Sequence, residues 1–438
     1  MTNCTTAEIR FPVCKRREVG VNFSGRSITS DGGVLLLREI DRRLGLTEAV
    51  TRCLPDPRNQ DQVKHHHLSQ LRQRVYALAH GYEDLNDHQT LRQDPAVQTA
   101  VGRDTALSSP STLCRFENRM GRAEAVAIHK VIVDQFIASF TEAPAELVLD
   151  FDATDDPVHG QQEGRFFHGY YDHYCFLPLY VFCGEQLLVS YLRPSKIDGA
   201  KHAWAILALL VKRLRQAWPQ VKIIFRGDSG FCRWRMLAWC DRHGVDYIVG
   251  LAKNSRLNSL AAEIQAKAER DYENSKTKQR LFQELNYAAA TWDRPRRIIA
   301  KAEHSGRGAN PRYVVTSLPG ESQALYDDLY CARGEMENRI KEQQLGLFAD
   351  RTSCHHWWPN QFRLLLSSLA YVLLERLRNL GLKGTELARS QVATIRLKLL
   401  KIGAAVIRNT RRVKLMLSSS YPYQEIFRKV AGRLLAAG

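Results

Sequence analysis

Two short apolar runs constrain this chain more than anything else in it: Glu146 to Asp152 (ELVLDFD) and Val221 to Asp228 (VKIIFRGD), each ending in an aspartate. The first alternates as a strand does, placing Leu147, Leu149 and Phe151 on one face and Val148, Asp150 and Asp152 on the other. Between the two runs, Cys175 to Cys183 and Gln186 to Leu192 also read as strands, separated by Gly184-Glu185. With the first run they predict a three-stranded meander. An amphipathic helix from about Gly199 to Trp218 follows, and beyond Asp228 come a helix over Cys232 to His243 and a strand over Asp246 to Gly250.

Three antiparallel strands, helix, strand, helix, strand is the order of a ribonuclease H-like core. The predicted fold class is therefore α/β, with the first part of that core at residues 144–251. In such a sheet the ends of the first and fourth strands lie side by side, so Asp152 and Asp228 are expected to meet. Residues 1–143 read as mainly helical after an opening strand. Apolar residues fall at helical spacing in Val34 to Leu37, Ile40 and Leu44, and again in Leu68, Leu71, Val75 and Leu78. Ser109 can cap a helix with Pro110 in its first turn, and that helix carries Arg115, Asn118 and Arg119. Such a helix suits phosphate or base contacts in a groove, and equally the surface of a helical bundle. The run His65-His66-His67 reads as a polar helix start, since adjacent residues do not share a helix face.

The rhythm breaks at residues 252–320, read as a β-rich insertion with its own small sheet. A Lys-rich helical stretch runs to about Arg280, then strands over Arg296 to Ala302 and Tyr313 to Ser317 flank a turn-forming segment. Residues 321–378 are expected to return to the core as helix, and residues 379–438 to form a basic helical region. From His355 to Gly438 there are 15 Lys or Arg against three Asp or Glu, which supplies +12 of the chain's net +17. That excess points to a polyanion, nucleic acid before anionic lipid.

The composition, 44% hydrophobic and 25% charged over 438 residues, excludes a mainly disordered or collagen-like chain. No apolar run has the length of a membrane span and the N-terminus lacks a signal-peptide pattern, so a cytoplasmic protein without membrane contact is expected. The ten cysteines are scattered without metal-site or redox spacing and read as reduced thiols.

A third acid, Glu337, lies in Tyr330 to Lys341 (YCARGEMENRIK). If that span is helical, Tyr330, Arg333, Glu337, Lys341 and Gln344 share one stripe. Any one of the three acids alone reads best as a surface charge. Three carboxylates in these places with basic neighbours are what two-metal phosphoryl transfer requires, since hard oxygen ligands suit Mg²⁺ or Mn²⁺. Arg333 and Lys341 would orient phosphates beside the metals.

The segments LDFDATD (149–155), FRGDSGF (225–231) and Tyr330-x2-Arg333-x3-Glu337 resemble the DDE transposases of bacterial insertion sequences. More narrowly they are similar to the insertion-sequence family numbered 1380, in the group with a Tyr-Arg-Glu-Lys signature. Asp31-Gly32-Gly33 and His168-Gly169-Tyr170-Tyr171-Asp172 extend the likeness along the chain. The resemblance implies that Asp152, Asp228 and Glu337 are catalytic ligands of two Mg²⁺ or Mn²⁺ ions, with Tyr330 and Arg333 on DNA phosphate. The signature lysine is missing, because Gln344 stands seven residues after the glutamate, and Lys341 is the substitute by helix geometry. Asp150 shares the face of Asp152 and is the alternative first ligand, although the Asp-x-Thr pattern falls on Asp152. Trp292, among Arg294, Arg296 and Arg297, is the candidate platform for a flipped base, or else a cover for the small sheet. Trp357-Trp358 reads as a hydrophobic latch before a DNA contact.

The implied activity is cut-and-paste transposition by a homodimer on double-stranded DNA, at terminal inverted repeats and a target. A nuclease without strand transfer and a catalytically silent DNA-binding protein are the alternatives.

Overall fold

The computed structural model describes residues 8–436, so Cys4 lies outside the described residues. The nine described cysteines are free thiols. In chain order the strands are β1 (Ile9–Cys14), β2 (Arg17–Val21), β3 (Ile28–Thr29), β4 (Glu146–Ala153), β5 (Asp156–Pro157), β6 (Phe166–His168), β7 (His173–Phe176), β8 (Leu179–Cys183) and β9 (Gln186–Tyr191). They continue with β10 (Lys222–Gly227), β11 (Asp246–Leu251), β12 (Gln279–Tyr287), β13 (Arg296–Ser305), β14 (Gly308–Ala309), β15 (Arg312–Thr316), β16 (Ala404–Arg408) and β17 (Val413–Leu417). The chain divides into two compact units, one of residues 1–51, 56–116 and 376–438, the other of residues 52–55 and 117–375.

The first unit joins the two ends of the chain. Helices Val34–Leu44 and His67–His80 bury the apolar stripes read from the sequence, and Ser109 accepts from the Thr112 amide at the start of helix Pro110–Glu117. Asp31-Gly32-Gly33 acts as a clasp: the Gly32 and Gly33 amides donate to the carbonyls of Ile402 (2.9 Å) and Leu400 (3.1 Å). A Cβ on Gly33 would fall 1.9 Å from the Leu399 carbonyl oxygen, so only glycine permits the approach. Buried Asp31 takes Lys401 at 2.8 Å and the Tyr82 hydroxyl at 2.7 Å. The termini are less helical than expected. The opening strand is a hairpin, β1 with β2, and the basic tail contains the hairpin β16–β17, with β3 on its other edge, before helix Gln424–Leu435.

The second unit is built on a nine-stranded sheet of order β12-β13-β15-β11-β10-β4-β8-β9, with β14 on β13. β4, β10 and β11 are parallel, while β8 and β9 on one side and β15, β13 and β12 on the other run antiparallel to their neighbours. Leu147, Leu149 and Phe151 enter the large core with Ile223 and Phe225 and with helices Ala203–Ala217 and Trp234–Arg242. Val148 packs on the other face with Ile224 and Ile248. That second face also carries Asp150 and Asp152, because successive side chains alternate across the sheet.

Two expectations need correction here. The run Cys175 to Cys183 is two strands, broken at Pro178, which has no amide to donate; β7 pairs with β5 and β6 in a separate three-stranded sheet. The insertion has no sheet of its own. β15 pairs with β11, so β15, β13 and β12 extend the main sheet, and β12 begins where helix was expected because helix Ala262–Ser275 stops at Lys276 in the left-handed conformation.

Candidate functional site

β4 and β10 lie in register with Phe151 opposite Gly227, so Asp152 and Asp228 emerge together at the carboxyl ends of two parallel strands. Asp228 turns its carboxylate back onto the Gly230 amide at 2.8 Å, which fixes the turn after β10. Glu337 comes from helix Gly334–Lys341, the middle of a helical span broken by π turns at Leu325–Tyr330 and Glu342–Gly346. Such irregular turns recur at functional sites because they re-aim side chains along a helix. Tyr330 settles beside the strand ends for a steric reason: a Cβ on Gly250 would fall 2.6 Å from its hydroxyl.

Arg333 links the acids. Its guanidinium lies 3.3 Å from Asp152 Oδ2 and 2.8 Å from Glu337 Oε1. Burial lifts the Asp152 carboxyl to about 7; Arg333 opposes that lift, and the charges of Asp228 and Glu337 add to it. For Arg333 burial works against the charge, and Asp152 and Glu337 outweigh it, holding its pKa above the ordinary value.

Asp150 is in a different situation. Both its oxygens accept from Arg226, at 2.7 Å for the Nη2 contact, and Arg226 also donates to the Leu329 carbonyl. The pair ties β4, β10 and the helical span together and occupies Asp150, while Asp152 meets Arg333. The sequence held a signal for this ion pair: Asp150 and Arg226 stand two residues before Asp152 and Asp228 on what were predicted to be neighbouring strands.

Lys341 is exposed on the last turn of its helix. Gln344, where the signature has lysine, donates to the Asp155 carbonyl at 2.9 Å. Asp155 in turn meets His173 at 2.9 Å, and burial together with Asp155 and Asp152 pushes the Tyr171 hydroxyl up to about 12. Gln344 stood out by its spacing from Glu337, but nothing in the sequence tied it to the Asp155 carbonyl, and His173 carried no distinctive spacing at all.

Trp292 is not brought to the acids. It precedes β13, which begins at the amino end of β11, and Asp152 and Asp228 sit at the carboxyl ends of strands parallel to β11. There it packs edge-on to Tyr287, centroids 5.6 Å apart, with Arg296 above it at 5.5 Å. Arg294 and Arg296 are paired with Asp241, each at 2.8 Å, and Arg297 with Glu284 and the carbonyls of Leu318 and Gly320. Arg115 and Arg119 are exposed, Arg115 lying 3.3 Å from its own helix's Thr112 hydroxyl. Trp357 packs on Phe176 at 5.3 Å, the contact expected of a latch.

Among the described residues no three His, Cys, Asp or Glu side chains converge closely enough to grip one metal ion. The charge balance nevertheless fits a cation. A guanidinium already lies between Asp152 and Glu337, and the donors are all carboxylate oxygens, the chemistry that Mg²⁺ and Mn²⁺ prefer.

The fold and site define an α/β protein that gathers carboxylates and cations at the carboxyl ends of parallel strands. A family model described as transposase DDE domain, group 1, matches residues 11–438, and the chain belongs to that family. Seven chains of solved structures are similar to it. One, from a cryo-EM structure of the piggyBac transposase synaptic complex with hairpin DNA, aligns with a TM-score of 0.39 at 11% identity, over 85% of this chain and 81% of that one. No curated protein matches. No helix among the described residues is long and apolar enough to cross a membrane.

Proposed function

We propose that this transposase performs cut-and-paste transposition from a ribonuclease H-like core, with Asp152, Asp228 and Glu337 as the ligands of two Mg²⁺ or Mn²⁺ ions. The observation that carries the reading is the Arg333 bridge between Asp152 and Glu337 beside Asp228, three acids from distant segments sharing one cationic centre. Bound ions would stabilise both the attacking and the leaving oxygen of an in-line displacement at phosphorus. Asp152 would hold the ions as its carboxylate, its proton released to solvent, and Arg333 would then pair with a phosphate oxygen, where its planar fork can make two parallel hydrogen bonds. Tyr330 and the exposed Lys341 line the same helical span for further backbone contacts.

The wider reading is a homodimer that binds the terminal inverted repeats of an insertion sequence of the family numbered 1380, acting in the bacterial cytoplasm. Arg115, Arg119 and the basic carboxyl-terminal region are its duplex contacts. The test is cleavage of a labelled duplex carrying the element's own end, with Mg²⁺ or Mn²⁺, by the natural protein and by Glu337→Gln and Asp228→Asn. Metal-dependent cutting at the repeat boundary, lost in both variants while DNA binding persists, supports it. Unchanged cutting by Asp228→Asn would sink the triad. A target plasmid in the same reaction separates strand transfer, seen as joined products, from plain hydrolysis.

A further inference from the structure

The run His65-His66-His67 has no part in the carboxylate chemistry, and the fold splits it. His67 opens helix His67–His80 and turns inward, onto the Phe116 ring at 5.1 Å and toward Asp56 at 3.6 Å. His65 stays half-buried just ahead of that helix, in a group of cations. Arg58 donates to the His65 carbonyl at 2.9 Å and is balanced by Asp56 at 2.5 Å. Lys64, Arg92 and Arg103 have no such acid: none of the three is in an ion pair among the described residues.

Hydrogen bonds through buried Gln98 set these residues together. Its side chain donates to the Arg92 carbonyl at 2.9 Å, and its own carbonyl accepts from the Arg103 amide at 2.8 Å where helix Pro95–Val101 ends. The Leu107 amide donates to the same Arg92 carbonyl at 3.0 Å, and the adjoining Ser108 is pinned to Gln73 of helix His67–His80 by bonds of 2.9 and 3.0 Å. The segments carrying Arg92 and Arg103 are thus fixed against the helix that His65 introduces. His65 Nδ1, Arg92 Nε and Arg103 Nε are buried with no hydrogen-bond partner among the described residues. Burial lowers the His65 pKa, and the charges of Arg103, Arg92, Arg58 and Lys64 lower it further, which marks a positive field that no acid cancels. The acids close by in sequence are used elsewhere or stand outside: Asp94 accepts from the Ala96 and Val97 amides, each at 2.9 Å, at the opposite end of helix Pro95–Val101, and Asp104 is exposed.

Buried N–H donors without acceptors cost free energy until something arrives to accept from them, and beside surplus positive charge that acceptor is an anion. An arginine met along its Nε edge offers two parallel N–H groups, which is the fit of a phosphate. The cations also continue beyond the reach of one anion. Arg38 donates to the Thr99 carbonyl at 3.2 Å and Arg408 to the Gln98 side chain at 3.0 Å, so Arg38, Arg92, Arg103 and Arg408, from separate segments, are all tied to helix Pro95–Val101. Such a series suits the repeated phosphates of a nucleic-acid backbone rather than a single small anion. We infer that His65, Arg92 and Arg103, with the exposed Lys64 beside them, form a built site for a backbone phosphate of duplex DNA. The inference rests on the proposed function only for the partner being DNA, and its test is independent of cleavage.

In metal-free buffer, the full-length protein is titrated with a labelled duplex of unrelated sequence over a range of salt concentrations. Arg92→Gln with Arg103→Gln should weaken binding about tenfold and flatten the salt dependence by about two counterions. Arg92→Lys with Arg103→Lys keeps both charges and should keep the natural slope, yet bind about fivefold more weakly because an ammonium lacks the fork. Melting temperatures check the fold; should the glutamine variant unfold, Lys64→Ala at its exposed position should still flatten the slope by about one. Natural affinity in the lysine variant would reduce the site to a diffuse positive field and overturns it. Natural affinity and slope in the glutamine variant overturn it as well, and inorganic phosphate that then stabilises the natural protein against melting more than this variant would assign the site to a small free phosphate. Because no cutting is read, duplex binding that depends on these arginines alongside failed triad chemistry would keep this inference and remove only the catalytic reading.

Discussion

Asp150 and Arg226 face each other at one register position on parallel strands, and the guanidinium takes both carboxylate oxygens. Each stands two residues ahead of an acid of the candidate site, so the pair fixes how far apart Asp152 and Asp228 emerge. Both side chains are buried. Arg226→Met leaves a buried carboxylate without its partner and should cost about 3–5 kcal/mol, whereas replacing both members with Asp150→Asn and Arg226→Met should cost less. Chemical denaturation of the three proteins checks this. A natural melting profile for Arg226→Met alone would show that the pair does not hold the strands.

Asp152 should behave in the opposite way. Its folded pKa, near 7, lies above the unfolded carboxylate value, so the folded state holds the extra proton between those values and stability falls as pH rises through that window. Asp152→Asn mimics the protonated form. The variant should gain on the natural protein from pH 4 to pH 8, by up to about 3–4 kcal/mol. Mg²⁺ should stabilise the natural protein above pH 7 and leave the variant unchanged, read from thermal melts with and without the ion.

Trp292 is expected to be structural. It covers Tyr287 under Arg296, at the sheet end away from the acids. Trp292→Ala should lower stability by about 2 kcal/mol, less than for a fully buried Trp, and leave affinity for duplex DNA within twofold. A DNA-binding loss with unchanged melting would return it to the platform role.

The parts of the fold legible in the sequence are those with strong one-sided patterns. β4 and β10 could be read because their apolar residues either alternate or run unbroken before an aspartate, and parallel pairing then brought the acids together. β12 was missed because Gln279–Tyr287 is an edge strand with polar residues on both faces, continuing the composition of the helix before it. The β16–β17 hairpin was missed because its strands are short and basic and draw their support from β3, almost four hundred residues earlier by chain position. Within the site, Arg333 and Glu337 share a stripe as α-helical spacing requires. The π turn beyond them turns Gln344 to the Asp155 carbonyl, a displacement that a uniform helical period does not anticipate.

Gly33 tests the clasp between the chain's ends. Its backbone is an ordinary right-handed one, φ −80°, so the cost of a side chain is purely steric. Gly33→Ala places a methyl 1.9 Å from a backbone oxygen that no rotamer change can move. The 399–402 segment must separate from residues 31–34, costing about 1–3 kcal/mol or more. Hydrogen exchange should show new opening at the Gly32 and Gly33 amides first; protection equal to the natural protein would contradict the clasp.

The basic hairpin supplies the last prediction. Asn409 accepts from the Arg411 and Arg412 amides, both at 3.0 Å, which holds the turn between β16 and β17 and leaves Arg411, Arg412 and Lys414 exposed. Arg408, by contrast, is engaged with Gln98 at 3.0 Å. Three exposed cations, two on the turn and Lys414 at the start of β17, suit phosphates of a duplex, with no means of reading bases. Replacing all three with Ala should weaken binding to any duplex by a similar factor and flatten the salt dependence by about two to three counterions. A variant that loses only the element's own end, with an unchanged salt slope, would instead make the hairpin a sequence reader.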